Sequence, residues 1–556
     1  MIYQIEIKNF KQMKVIINTL IACCLSILAL GLTINAQTGY HSHNDIINKL
    51  ENLAASNPGT CELDVIGKSY SGKDICVLTI GTGKHNNKPG MAIIGGIDGR
   101  YPLSREIALG FAEKLLSDQG NEKYKDLLND ITFYIIPDAS PDASGGLFSD
   151  PVYERMVNGH ITDNDRDFQN DEDPYEDLNG DGLITLMRVK DPRGDHITDP
   201  ADERLMKKAD LAKGETGSWF VYTEGIDNDN DDKFNEDGPG GVNFNHNFSF
   251  EYEEFGKYAG IHAVSESETR AIADFLYDHF NIYSVFSFGP QDNLGKSFKA
   301  NNRSEGRGGR GSRIIKNIYK EDQLLNELLS EKYHDITAYK GSPGFVREPG
   351  NFMEWAYYHY GRYSYSTPGW WYESENGKRD ESSFMEYADN NNYNDVFAEW
   401  QEIGHPDFPG KKVEVGGIKP FKMLNPPESI LENVVEKNCD FLVEAAGLHP
   451  EIELINLRTE NPGKDITRIT VNLHNKGVFA TSCKHGERSK WNKKIRIEIR
   501  SDSDFSLISG KKIYFIDRIP GDGSEEYSWL ISGKGNFTIS AGAAHTNNAT
   551  ISFNIK

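Results

Sequence analysis

Three acidic stretches place side-chain oxygens at alternate positions. They are Asp163, Asp165 and Asp167 in "DNDRDFQNDEDP", Asp177, Asn179 and Asp181 in "DLNGDGLITLMR", and Asp227, Asp229 and Asp231 in "DNDNDDKFNEDG". With this spacing a tight loop can turn three oxygens toward one calcium ion, and a main-chain carbonyl and a later oxygen complete the shell. Asp171 and Asn235 hold the ninth place of their loops. Only "DLNGDG" has glycine at the sixth place, where the other loops have Phe168 and Asp232, and none has the glutamate usual at the twelfth. The spacing predicts structural calcium in at least one loop, against the plainer reading of a solvated acidic linker. No serine or cysteine nucleophile motif is found elsewhere in the chain.

The elements that must position such groups are readable from periodicity. "MAIIGGI" and "ITFYIIPDAS" are buried-type strands, "IYSVFSFG" is another, and residues 60–81 form two strands around "GKSYSGK". "LSREIALGFAEKLLS" has helical spacing, and "SESETRAIADFLYDHF" opens on a capping-box pattern from Ser265 to Glu268. "PESILENVVEKNCDFLVEAAG" reads as a last helix stopped at Gly447. This alternation predicts an α/β core. From about Glu451 short alternating strands predict a β-sandwich. Residues 145–245 are polar, acidic and poor in apolar residues, which predicts an insertion with little core of its own.

Composition narrows the partners. The 556 residues carry a formal charge of −24, which disfavours nucleic acid and anionic membrane surfaces. Lys8, Lys11 and Lys14 precede an apolar run from Val15 to Leu32, and Ala36 closes it before Gln37, the pattern of a cleaved secretory signal over residues 1–36. Met13 is an equally good start, and "LIAC" ending at Cys23 is a weaker lipobox match. After cleavage no integral membrane segment is expected, so the sequence predicts a secreted, periplasmic or cell-surface protein. Cys23 and Cys24 leave with the signal. Cys61 and Cys76 flank the hairpin and are candidates for a disulfide, with strand register deciding; Cys439 and Cys483 complete the set.

Seven stretches, in chain order, are similar to the zinc carboxypeptidase family, the carboxypeptidase A-like metallopeptidases. They are "SYSGKDICVLTIG", "GGIDGRYPLSRE", "IIPDASPDA", "GGVNFNHNF", "SESETRA", "VFSFG" and "EWAYYHYGRYSYSTPG", spread over residues 40–445. The resemblance implies a mixed-sheet α/β/α core over residues 37–447, interrupted by the acidic insertion and followed by a β-sandwich over 448–556. It also implies a zinc ion held by two histidines and a glutamate, with a second glutamate as general base and an Asn–Arg pair for the substrate's carboxylate. Carried over residue by residue, the zinc positions fall on Asp98, Tyr101 and Phe286. The base falls near Pro368, and the Asn–Arg pair on Asn245 and His246.

Tyrosine keeps its proton at neutral pH, phenylalanine has no donor atom and proline accepts no proton. The family expectation of zinc therefore meets a sequence without its ligands. The reading is a secreted protein whose peptidase site is degraded and whose cleft binds peptide, cell-wall or glycan material. The alternative is a working metallocarboxypeptidase with zinc relocated among Asp98, Glu106, His246 and His262. Two further features are ambiguous. "YYHYGRYSYSTPGWWYE" is an aromatic platform or a buried strand with one of Trp370 and Trp371 exposed. Arg303, Arg307, Arg310 and Arg313 lie on a glycine-rich stretch that reads as a mobile loop.

Overall fold

The continuous apolar stretches form the centre of a six-stranded mixed sheet. A computed structural model describes residues 39–117, 120–163, 168–229, 233–235, 238, 240–300, 316–374 and 377–556. The signal segment, the arginines of the glycine-rich stretch, and Asp165, Asp167 and Asp231 lie outside them. Residues 42–556 form one compact unit.

Helix α1 (His43–Ser56) precedes the hairpin β1 (Cys61–Lys68) and β2 (Asp74–Ile80). Strand β3 (Gly90–Ile94), helices α2 (Leu103–Ser117) and α3 (Glu122–Asp130), and strand β4 (Thr132–Ile136) follow. Beyond the insertion come α4 (Ser267–Asp278), strand Ile282–Phe288, helix Lys320–Thr337, strand Tyr363–Thr367 and helix Glu428–Ala446. The sheet runs β1, β2, β4, β3, Ile282–Phe288, Tyr363–Thr367. The last four strands are parallel and fully buried, which is why they read as unbroken apolar runs rather than alternating ones.

Helices cover both faces of this sheet. Ile272, Ala273 and Leu276 of α4 join Val77, Ala92, Ile94, Ile136 and Val285 in one core. On the opposite face Phe111 of α2 meets Phe133, and Phe441 of the last helix meets Phe286. Two helix ends differ from expectation. Glu266 is the N-cap of α4, because Ser265 turns its hydroxyl to the Glu266 carboxylate at 2.6 Å and does not cap the helix. Gly447 is the C-cap of the last helix but has φ −62°, so the helix ends without a left-handed residue.

The acidic insertion builds a second sheet. Strands β5 (Leu186–Lys190), β6 (His196–Asp199), β7 (Asp202–Lys208) and β8 (Trp219–Thr223) are joined by Phe397–Ile403 and Val413–Ile418 from much later in the chain. Met187, Val189, Val413 and Val415 are buried together between these segments. The expectation of an insertion with little core is thus corrected, because the apolar partners lie about two hundred residues downstream and no local pattern reveals them. Arg188 lies between the rings of Trp219 and Trp400, at 4.8 and 4.1 Å from their centroids, and pairs with Glu414 at 2.8 Å.

From Ile452 the chain forms two four-stranded antiparallel sheets around Trp529, Ile497 and Phe537. Among the described residues no helix is long and apolar enough to cross a membrane.

Candidate functional site

Parallel strands end together, so the carboxyl edge of the central sheet gathers the loops after β3, β4, Ile282–Phe288 and Tyr363–Thr367. Such an edge is where open α/β sheets present side chains to ligands. The first loop is tightly built. Gly96 adopts φ +66°, and a Cβ there would stand 2.6 Å from Asp138 Oδ1. Ser104 accepts the Gly96 amide at 2.9 Å and donates to the Tyr101 carbonyl at 2.6 Å, which fixes the turn carrying Asp98.

Asp98 is buried and fully engaged by its neighbour. The Arg100 amide and Nε each donate to Oδ1 at 3.0 Å, and Nη2 donates to Oδ2 at 2.6 Å. Burial pulls the guanidinium down, but the charge and hydrogen bonds of Asp98 outweigh it and hold Arg100 above its ordinary value. Tyr101 is buried, and that burial, with the charge of Asp98, pushes its phenol up, so it stays protonated.

The network continues outward. Arg100 Nη2 lies 3.9 Å from Glu348, which accepts from Gln291 at 3.1 Å and lies 3.7 Å from His246 Nε2. Gln291 in turn accepts from Asn245 at 2.7 Å, and Asn245 Oδ1 accepts the Phe352 amide at 2.9 Å. Asn245 and His246 thus reach this edge, while the remaining expectations divide. Pro368 follows the strand Tyr363–Thr367 and is buried. Phe286 is mid-strand, pairs with Ile93 and packs on Tyr365 at 5.2 Å. It belongs to the core and offers no donor atom, and the loop after this strand contains Gln291 and Asp292.

Asp292 is buried and accepts from Ser342 Oγ at 2.6 Å and from the Gly295 amide at 2.7 Å. Burial pushes its carboxyl up to about 6. Sequence reasoning missed Gln291, Asp292 and Glu348, because no spacing marks them. The "Arg-Glu" pair is structural. Arg105 is buried 3.7 Å from Asp138, which also meets His43 at 3.1 Å and Ser144 at 2.7 Å. Burial would raise the Asp138 carboxyl, but the Arg105 charge and these hydrogen bonds hold it below its ordinary value.

These residues do not fit the implied zinc. Zinc of this type asks for imidazole and carboxylate donors with an open position. Here Asp98 is bound by a guanidinium and its neighbours are a protonated phenol and amides. The relocated set does not converge either. Glu106 is buried on α2, and His262 is exposed with Nδ1 3.1 Å from the Ala263 carbonyl. Among the described residues no three histidine, cysteine, aspartate or glutamate side chains gather as a metal group.

The calcium candidates that the structure describes bond to neighbouring groups. Asp177 accepts the Gly180, Asp181 and Gly182 amides at 2.7, 3.2 and 2.8 Å, and Asn179 donates to Asp181 at 3.1 Å. Asp163 accepts the Phe168 amide at 3.0 Å and Asp171 the Gly240 amide at 3.2 Å. Asn235 donates to the Thr223 and Glu224 carbonyls at 3.2 and 3.3 Å. The Asp227 amide donates to Asp407 at 3.1 Å. Asp229 has partners of its own. Among the described residues the loop oxygens bond to their own turns and to neighbours, and calcium is not supported.

Other expectations resolve on geometry. Cys61 lies opposite Ile80 and Cys76 opposite Val65, so register keeps the two apart, and all four described cysteines are free and buried. Burial pushes the Cys61 and Cys76 thiols up to about 11. Trp370 and Trp371 are both buried, because they lie past the strand end, where alternation no longer applies.

A zinc carboxypeptidase family model matches residues 46–145, and a model described as a domain of unknown function (DUF8731) matches residues 451–554. Carboxypeptidase E of Caenorhabditis elegans is 26% identical over 188 residues, which is 33% of this chain and 39% of that protein. Carboxypeptidase A2 of Mus musculus is 33% identical over 111 residues, 20% of this chain and 26% of that protein. The chain thus spans well under half the length of these curated relatives. Among solved structures, a carboxypeptidase A from Helicoverpa armigera aligns with TM-score 0.40 and 15% identity over 73% of each chain. Bovine thrombin-activatable fibrinolysis inhibitor in complex with tick carboxypeptidase inhibitor aligns with TM-score 0.37 and 16% identity, over 73% of this chain and 96% of that one. The match at residues 46–145 covers the loop of Asp98 and Tyr101, so this part of the chain is similar to zinc carboxypeptidases.

Proposed function

We propose that this chain is an exported binding protein whose peptidase site is degraded, and that its cleft receives peptide or cell-wall glycan material. The observation that carries the reading is the buried Asp98 held bidentately by Arg100, beside a protonated Tyr101. A carboxylate so engaged keeps only one free acceptor site, on Oδ2, beside a guanidinium whose charge opposes a dication, and displacing that buried guanidinium is costly. What remains at the edge is a set of positioned donors and acceptors, Gln291, Glu348, Asn245 and His246, suited to holding polar groups of a ligand. Export is supported by the basic, apolar and small-residue pattern of residues 1–36 and by the acidic balance of the whole chain.

The test supplies zinc and asks for chemistry. The purified chain, incubated with zinc ions and hippuryl-phenylalanine or hippuryl-arginine, is expected to release no C-terminal amino acid, and to co-sediment saturably with peptidoglycan. Release that 1,10-phenanthroline abolishes contradicts the degraded-site half. Absence of saturable co-sedimentation with both peptidoglycan and insoluble glycan contradicts the binding half.

A further inference from the structure

A cavity of about 390 Å³ opens where the inserted sheet meets the core, lined by none of the residues carried over from the family. Its walls are largely apolar: Tyr153, Leu186, Ile418 and Met423 line it, and Tyr175 stands 5.4 Å from Tyr153. A volume of this order accommodates a small organic ligand. A second cavity of about 60 Å³ shares Tyr153, Glu154 and Tyr175.

The charged groups on the walls are unequal. Two carboxylates, Glu154 and Glu381, face the space, and Lys419 is the one cation among the described lining residues. Lys419 is already committed to Asp395 in a close ion pair. Arg100, whose charge reaches Glu154, is committed to Asp98. The cavity is therefore anionic with no free internal counter-charge.

Glu154 spends Oε1 on the Phe421 amide at 2.7 Å, which fixes its position. Burial pushes the Glu154 carboxyl up despite that amide and the nearby Arg100, and burial followed by the charge of Asp380 does the same at Glu381. Glu154 feels only a cation already paired with Asp98, and burial still outweighs it. A metal ion is a poor candidate, since no three ligating side chains gather among the described residues. An anion meets two carboxylates.

We propose that this junction cavity binds a small organic cation, a protonated amine or guanidinium on a largely apolar body, with the charged head at Glu154 and the body against Tyr153, Leu186 and Met423. The core supplies neither the apolar wall at Leu186 nor that at Ile418. The insertion and its late-arriving strands create the site, and this gives them a role beyond bracing. The proposal stands independently of whether the family's peptidase site is degraded.

Calorimetric titration of the full chain with three probes of one shape tests it: tyramine, 4-ethylphenol and 3-(4-hydroxyphenyl)propionate. Tyramine is expected to bind saturably, the neutral phenol about tenfold more weakly, and the propionate not at all. Glu154→Gln, which keeps an oxygen for the Phe421 amide, is expected to weaken tyramine about tenfold, and Glu381→Gln to weaken it less. Melting curves establish that each variant folds, and each is read separately, so that failure of one to fold leaves the other and the probe series to decide. No saturable tyramine binding, equal binding of all three probes, or unchanged binding in the folded variants overturns the proposal.

Discussion

The carboxyl edge of the central sheet and the junction with the inserted sheet both present acids, but they use them in opposite ways. At the edge, Asp98 is sealed against Arg100, and the surrounding Glu348, Gln291 and Asn245 are bonded to one another. At the junction, Glu154 and Glu381 face open space with their nearest cations already taken. Mutual bonding holds the edge's polar groups in fixed positions, whereas the junction leaves charge beside an apolar wall for a cation to meet. The difference separates a loop similar to that of zinc carboxypeptidases from a junction made by the inserted sheet.

The largest expected effect breaks the edge. Arg100→Met leaves the Asp98 carboxylate buried without its partner, and denaturant unfolding should show a loss of about 3–5 kcal/mol. Adding Asp98→Asn should recover most of it. If Arg100→Met costs nothing, the pair is not the lock described.

Next is Asp292. Its carboxyl is pushed up to about 6 from an ordinary 3.8, so the folded chain holds a proton there that the unfolded chain releases. Stability from this group is present below the unfolded value and is lost as pH rises through the folded one. Between about pH 4 and pH 7, the stability of Asp292→Asn relative to the parent should shift by about 2–3 kcal/mol in the variant's favour. A gap that does not change with pH contradicts the assignment.

In the inserted sheet, Arg188→Met removes the cation between Trp219 and Trp400 while Lys412 still pairs with Glu414 at 2.7 Å. A loss of about 1–2 kcal/mol is expected, read by tryptophan fluorescence during unfolding. The smallest effect is expected from EGTA. With the acidic turns closed on their own amides, it should leave the melting temperature and the protease resistance of residues 145–245 unchanged. A clear drop in either restores calcium to these loops.

Much of the core was legible because its signals are local. "MAIIGGI" and "IYSVFSFG" are apolar without alternation, and both are central parallel strands, whereas the alternation after Glu451 gives two-faced antiparallel sheets. The strands Phe397–Ile403 and Val413–Ile418 were not assigned to the insertion, since pairing across two hundred residues leaves no local trace. The loop of Asp98 was legible from its glycines and "Arg-Glu" start. Phe286 was legible as a position without a donor atom, whereas Gln291 became visible only once strand pairing placed its loop at the sheet edge. Glu348 and Glu154 sit in irregular segments where a lone glutamate says nothing until the fold surrounds it.

The central claim is that this chain, although similar to zinc carboxypeptidases over residues 46–145, lacks a zinc site, and the most direct measurement is metal analysis of the purified chain after equilibration with zinc ions. The account predicts no stoichiometric zinc, with no change on replacing Asp98 by alanine. Stoichiometric zinc that is lost in Asp98→Ala would contradict it.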